Sequence, residues 1–170
     1  MTSINVPNSV LLPEVERLLR EGRRVTLRTR GHSMLPFIVG GRDSVVLRPP
    51  TLPLQPGRIV LALIGKNQYV LHRIIQADAH RIILMGDGNL HGQETCHPED
   101  ICGEVEFVLR PGHQPVSPDS PRWQRASAWW QKLRPIRRLI LAVYRRTLLK
   151  RYENQSKTTY HENQKRIRPA

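Results

Sequence analysis

Apolar residues recur three and four apart at Leu11, Leu12, Val15, Leu18 and Leu19, and this spacing predicts a short amphipathic helix over residues 9–22. Asn8 or Ser9 is placed to cap its start and Gly22 to end it. Pro13 is compatible only with its first turn. From Val25 the period falls to two: Val25–Thr29 alternates as a half-buried strand does. Short apolar runs follow at Ser44–Leu47, Ile59–Ile64, Gln68–Ile75, Arg81–Met85 and Val105–Leu109. Pro49-Pro50, Pro56-Gly57, Gly86-Asp87-Gly88-Asn89 and Pro111-Gly112 punctuate them. The continuous run Ile59–Ile64 suits a strand buried on both faces. Many short strands with tight turns predict a mainly β fold.

After Pro111-Gly112 the pattern changes again. Residues 113–121 are Pro-rich with little to bury and read as a linker. Residues 122–152 regain helical spacing, with Trp123, Trp129, Trp130, Leu133, Ile136, Leu139, Ile140, Val143 and Tyr144 set among arginines. Pro135 is expected to kink or split this segment. Residues 153–170 are polar and charged, the composition of a disordered tail. The expected organisation is an N-terminal helix in 1–24, a β-rich domain in 25–112, the linker 113–121, a basic amphipathic segment 122–152 and the tail 153–170.

Charge sharpens this division. Residues 1–120 hold 13 Lys and Arg against 12 Asp and Glu, whereas residues 121–170 hold 14 against 2. The formal net charge of +13 therefore belongs to the C-terminal segment. The N-terminus lacks the basic start, apolar stretch and small-residue cleavage site of a secretory signal. No apolar run approaches the roughly 18 residues of a transmembrane helix. The expectation is a cytoplasmic protein in which Cys96 and Cys102 are free thiols. His91, Cys96, His97 and Cys102 carry metal-capable side chains, but their spacing fits no tight zinc pattern, so neither metal nor cofactor is expected.

The chemistry is concentrated in five ordered segments. Gly31-His-Ser33-Met-Leu-Pro36 sets a serine directly after a strand, between a glycine and a proline. That composition also suits an ordinary turn. Serine needs a base within hydrogen-bond reach and a group that orients the base. Downstream lie Gly41-Arg-Asp43-Ser-Val-Val-Leu, Pro56-Gly57-Arg-Ile-Val-Leu-Ala62, Val70-Leu-His72-Arg-Ile-Ile75 and Leu84-Met-Gly86-Asp87-Gly-Asn89. His72, alone in an apolar strand, also fits a structural histidine. Asp87 fits either a catalytic carboxylate or a turn former that accepts backbone N–H bonds. Asp43 suits a structural carboxylate receiving turn amides.

Over about residues 25–110 this ordered set resembles the serine peptidases that include the type I signal peptidases and the self-cleaving LexA-like repressors. Their bacterial members use a lysine base, and the only lysine in residues 1–120 is Lys66, on an apparent turn. The histidine of the Val70–Ile75 segment instead resembles the archaeal and eukaryotic signal-peptidase catalytic subunits. The resemblance implies Ser33 as nucleophile, His72 as general base and then acid, and Asp87 as the group that orients His72. Glu94 is the second acidic candidate, close to the position where a further carboxylate follows the Gly-Asp turn. A hydroxyl residue stands two positions before the nucleophile in signal peptidases, and here that residue is Gly31. The oxyanion hole would then rely on the Ser33 backbone amide and other amides. The membrane anchor of signal peptidases has no counterpart in this sequence.

The resemblance implies a serine endopeptidase acting on leader or signal-like peptides. Two alternatives stay open: a peptidase-like protein that binds peptides or a partner without turnover, and a self-cleaving regulator. The second has only thirty-two residues before Ser33 in which to place a DNA-binding domain and a cleavable loop. For the segment 122–152, tryptophans and arginines suggest peripheral association with an anionic membrane surface on the cytoplasmic side. The competing expectation is a helix packed on its own domain with a solvated basic face. Nucleic acid fits the charge, but no recognition motif accompanies it.

Overall fold

The computed structural model describes residues 8–66, 68–144 and 146. Helix α1 (Asn8–Arg20) precedes seven strands: β1 (Val25–Arg28), β2 (Ser44–Arg48), β3 (Ile59–Ile64), β4 (Gln68–Ala77), β5 (Ile82–Met85), β6 (Glu94–Cys96) and β7 (Ile101–Leu109). They form one antiparallel sheet in the order β1-β2-β7-β3-β4-β5-β6. The fold is mainly β, as the alternating and continuous apolar runs predict. The expected tail 153–170 lies outside the described residues.

Strand β3 shows why its run is apolar throughout. Ile59 and Leu61 enter a core with Val15 and Leu19 of α1, Val45, Leu47, Val105 and Val108. Val60 and Ala62 enter a second core with Ile74, Ile82, Leu84, Cys96 and Ile101. Successive side chains of a strand point to opposite faces, so a strand in contact with two cores has no polar position to spare. Helix α1 lies over β7 and β1.

Three elements depart from the sequence expectation. Helix α1 starts at Asn8 and so holds Pro13 as its sixth residue, past the first turn to which the proline was expected to be confined. Strand β6, only three residues long, carries no apolar alternation of its own and forms as the return limb of β5, with Ile82 opposite Cys96 and Leu84 opposite Glu94. Strand β7 begins at Ile101 rather than Val105. Its early part contains Glu104, a poor strand signal. The Glu104 carboxylate is buried there because Arg48 donates to it from β2 and Thr51 donates through both its hydroxyl (2.9 Å) and its amide (3.2 Å).

The C-terminal segment is divided at Pro135 as expected: α2 (Pro121–Lys132), a 3-10 turn at Arg134–Ile136 and α3 (Arg137–Tyr144). These helices pack into the domain. Trp123 joins the core around α1, with its ring centroid 5.3 Å from that of Phe37. Trp130 and Leu141 form a third cluster with Leu35 and Val39. The linker is tied down as well, because Val116 exchanges two backbone hydrogen bonds with Val108 of β7. Of the three tryptophans expected at a membrane interface, only Trp129 is exposed.

Cys96 and Cys102 are free thiols in different cores. Burial, then Asp100 and Glu99, pushes the Cys96 thiol up to about 11. Burial, then Glu16, pushes Cys102 up to about 12. The thiolate is the reactive form, so reactivity grows only as pH climbs toward those values. With Ellman's reagent at about pH 8, the native protein should release no thiol on the time scale of mixing, and both should react once guanidinium chloride unfolds it. Fast reaction of either thiol in the native state would contradict this burial.

Candidate active site

The serine lies in the long connection between β1 and β2. Its base is closed by backbone bonds: the amide of Thr29 donates to Asp43 O (3.1 Å) and that of Gly41 to Thr29 O (2.8 Å). The Asp43 carboxylate is fully buried. It accepts the Val39 amide (2.9 Å) and the Arg42 guanidinium, with Arg110 at 3.5 Å. This fits the structural role expected for Asp43, although the amide it receives precedes Gly40-Gly41. Gly31 takes φ +78°, a conformation costly for any residue with a Cβ, and so turns the chain just before Ser33. Ser33 itself is half-buried, and its N–H makes no hydrogen bond with the described residues.

Ser33 and His72 line one cleft of about 150 Å³, together with Gly31, Met34, Ile38 and Tyr69. His72 sits on β4 opposite Val60 of β3 and is buried. Its Nδ1 lies 2.8 Å from Glu94 Oε2. That contact leaves Nε2 as the ring nitrogen available to a hydroxyl in the cleft. The Tyr69 wall is anchored from below, where its hydroxyl donates to Glu16 of α1 at 2.6 Å. Burial, then Glu16, raises the Tyr69 hydroxyl above its ordinary value, which keeps it a donor. Burial pushes Glu16 upward, but the Tyr69 hydroxyl and the Arg20 guanidinium outweigh it and hold the carboxyl below the usual range.

The group on His72 is Glu94, not Asp87. Asp87 is buried and takes a two-pronged ion pair from Arg73, with Nε at 2.9 Å and Nη2 at 2.7 Å. The pleat accounts for the division. His72 and Arg73 are consecutive on β4 and face opposite sides of the sheet. The pairing of Arg73 with Met85 brings the turn that follows β5 to the arginine. On the other face, Ile74, Leu84 and Glu94 stand in one row across β4, β5 and β6. Strand β5 ends at Met85, so beyond its end β6 can present Glu94 directly to His72.

The Asp87 turn has a different relation to the serine. The Gly88 amide donates to Ser33 O at 2.7 Å. A Cβ added at Gly88 would stand 2.6 Å from His32 O, and one at Gly86 would stand 2.4 Å from Ser33 O. Both glycines are therefore required by the approach of two backbones, and the turn forms the floor under Ser33. Trp130 Nε1 also donates to Asp87 O (2.8 Å), and Gln131 Nε2 to Asp87 Oδ1 (3.3 Å).

Sequence reading missed Arg73, Trp130 and Gln131. For Arg73 a signal existed: an arginine inside an apolar strand is seldom buried without a carboxylate partner. For the two C-terminal residues no local signal existed. The metal-capable residues do not converge. Cys96 and Cys102 belong to different cores, His97 Nδ1 lies 3.1 Å from His80 O, and among the described residues no group of three or more His, Cys, Asp or Glu could hold a metal ion.

No protein-family model matches this chain, and no curated protein matches it.

The site geometry separates the two carboxylates experimentally. Glu94→Gln should preserve the fold and slow any reaction of Ser33 by at least about tenfold, because the amide no longer stabilises a cationic imidazole. Asp87→Asn should instead lower stability by about 3–5 kcal/mol in urea titration, because it strands the buried Arg73 guanidinium. A stable Asp87→Asn variant alongside an unaffected Glu94→Gln variant would reverse these roles.

Proposed function

We propose that this protein is a serine endopeptidase that cleaves leader or signal-like peptides through an acyl-enzyme on Ser33. The observation that carries this reading is the His72–Glu94 pair, joined at 2.8 Å and facing the cleft that Ser33 also lines. In this reading neutral His72 accepts the Ser33 Oγ proton through Nε2 as Oγ attacks the substrate carbonyl. Glu94 holds the Nδ1–H tautomer and stabilises the imidazolium that forms. The Ser33 N–H receives the developing oxyanion in place of the hydroxyl that Gly31 does not provide. His72 then returns the proton to the leaving amine, a new N-terminus departs, and water, deprotonated by the same histidine, releases the acyl group. The small cleft agrees with small side chains before the scissile bond, a preference that the family resemblance implies.

The C-terminal helices support a second part of the proposal, peripheral binding to an anionic membrane surface. Residues 121–152 contain ten Lys and Arg and no Asp or Glu. Their exposed side chains include Trp129 (68%), Leu139 (72%) and Ile136 (52%) and the cations Arg125, Lys132 and Arg138, with Lys132 Nζ 5.9 Å from the Trp129 ring centroid. Exposed apolar side chains among cations suit the boundary between anionic headgroups and acyl chains. No helix among the described residues is long and apolar enough to cross a membrane.

A fluorophosphonate probe tests the first part. Intact mass should show one adduct, absent in Ser33→Ala and formed at least about a hundredfold more slowly in His72→Ala. Folded protein that resists several serine-directed probes would overturn the peptidase reading and favour a peptide-binding role.

Sedimentation with vesicles tests the second. The protein should pellet with vesicles containing about a third phosphatidylglycerol, and not with pure phosphatidylcholine. The binding should fall with added salt, and Trp129→Ser with Leu139→Ser should weaken it about tenfold or more. Equal binding by the double variant would refute the docking face.

A further inference from the structure

The peptide unit between Asp87 and Gly88 is held at both ends. Its carbonyl accepts the indole N–H of Trp130 at 2.8 Å, and its amide donates to Ser33 O at 2.7 Å. A peptide unit is planar, so rotating this one out of place breaks both hydrogen bonds together. Donation to the carbonyl also polarises the amide that reaches Ser33 and strengthens the second bond. The indole N–H of α2 and the backbone of the nucleophile are thus connected through one rigid group.

The surroundings reinforce this connection. Gln131 Nε2 reaches Asp87 Oδ1 at 3.3 Å. Arg137 of α3 is 1% exposed. It lies 5.1 Å from the Trp130 ring centroid, donates to Trp130 O at 3.0 Å and to Gln131 Oε1 at 3.2 Å, and approaches Asn89 O at 3.5 Å. Trp130 packs in one cluster with Leu35 and Val39, which follow Ser33 in the same loop. Helices α2 and α3 therefore hold both the loop that bears the serine and the turn beneath it.

We propose that α2 and α3 act as a strut for the nucleophile, and that Trp130 is a positioning residue that sets Ser33 through the Asp87–Gly88 peptide. This rests on the serine-peptidase reading for its catalytic consequence. The strut joins the docking face to the catalytic loop, since Trp129 and Leu139 point outward from the same two helices that clamp the turn. The basic C-terminal segment is then a working part of the peptidase rather than a separable anchor.

Trp130→Phe tests this, since it keeps an aromatic ring in the cluster and removes the N–H. Trp123→Phe is the comparison: it removes an indole N–H that has no hydrogen-bond partner among the described residues and does not reach Asp87. Two readouts are taken on the full chain: the maximal labelling rate of Ser33 with a fluorophosphonate, separated from probe affinity, and hydrogen exchange of the Gly88 amide. In Trp130→Phe the maximal labelling rate should fall about tenfold with little change in probe affinity, and Gly88 should exchange about tenfold faster. Trp123→Phe should lose stability yet keep both within about twofold. Gln131→Leu, at a half-buried position, serves if Trp130→Phe does not fold, and should slow labelling about threefold. Wild-type labelling and Gly88 protection in Trp130→Phe, or in Gln131→Leu where that variant stands in, would overturn the proposal. So would losses in Trp123→Phe as large as those in Trp130→Phe. If the folded wild-type protein takes no label, the peptidase reading fails, and Gly88 exchange alone decides whether the strut exists.

Discussion

The buried ion pair between Arg73 and Asp87 anchors the ground on which Ser33 stands. A guanidinium and a carboxylate withdrawn from water cost several kcal/mol unless their remaining hydrogen-bonding capacity is met. Here it is met on both sides. Arg73 gives two donors to Asp87 and a third to Gly57 O at 2.6 Å, and Asp87 receives Gln131 as well. The pair ties β4 to the turn after β5. That turn carries Gly88, whose amide holds Ser33 O. The loop bearing the serine is long and irregular, and it takes its place from this anchor together with the cluster around Trp130.

With Asp87 neutralised by Arg73, the charge that bears on His72 is that of Glu94. The two faces of β4 divide the work, one holding the turn in place and the other orienting the imidazole. The two carboxylates also differ in exposure. Asp87 sits fully enclosed beside Arg73. Glu94 keeps a quarter of its side chain in contact with solvent.

The C-terminal helices invert the usual reading of a basic amphipathic segment. Arg137 turns inward, over Trp130, while Leu139 faces water. Residues 137 and 141 lie one helical turn apart and share the buried face, and Leu139 lies on the opposite one. A cation is tolerated inside because an indole face and carbonyl oxygens surround it. Leu139 and Val143 of the same helix are left exposed.

The elements were largely legible in the chain. The helix at α1, the strands with clear alternation or continuous apolar runs, and the break at Pro135 follow from periodicity and from proline's missing donor, both local properties. The candidacy of Ser33 and His72 rests instead on the family resemblance that their short motifs carry. Strand β6, the partner of Asp87 and the inward turn of Arg137 were not legible, because each depends on residues distant in sequence. Glu94 meets His72 only because β5 stops at Met85, and Asp87 meets Arg73 only because the β4–β5 register places Met85 beside that arginine. The sequence by itself determined a β-rich chain with a serine, a histidine and two nearby carboxylates. Tertiary structure alone decided which carboxylate serves the histidine and which supports the serine, because strand pleat and register, not sequence spacing, determine which side chains share a face.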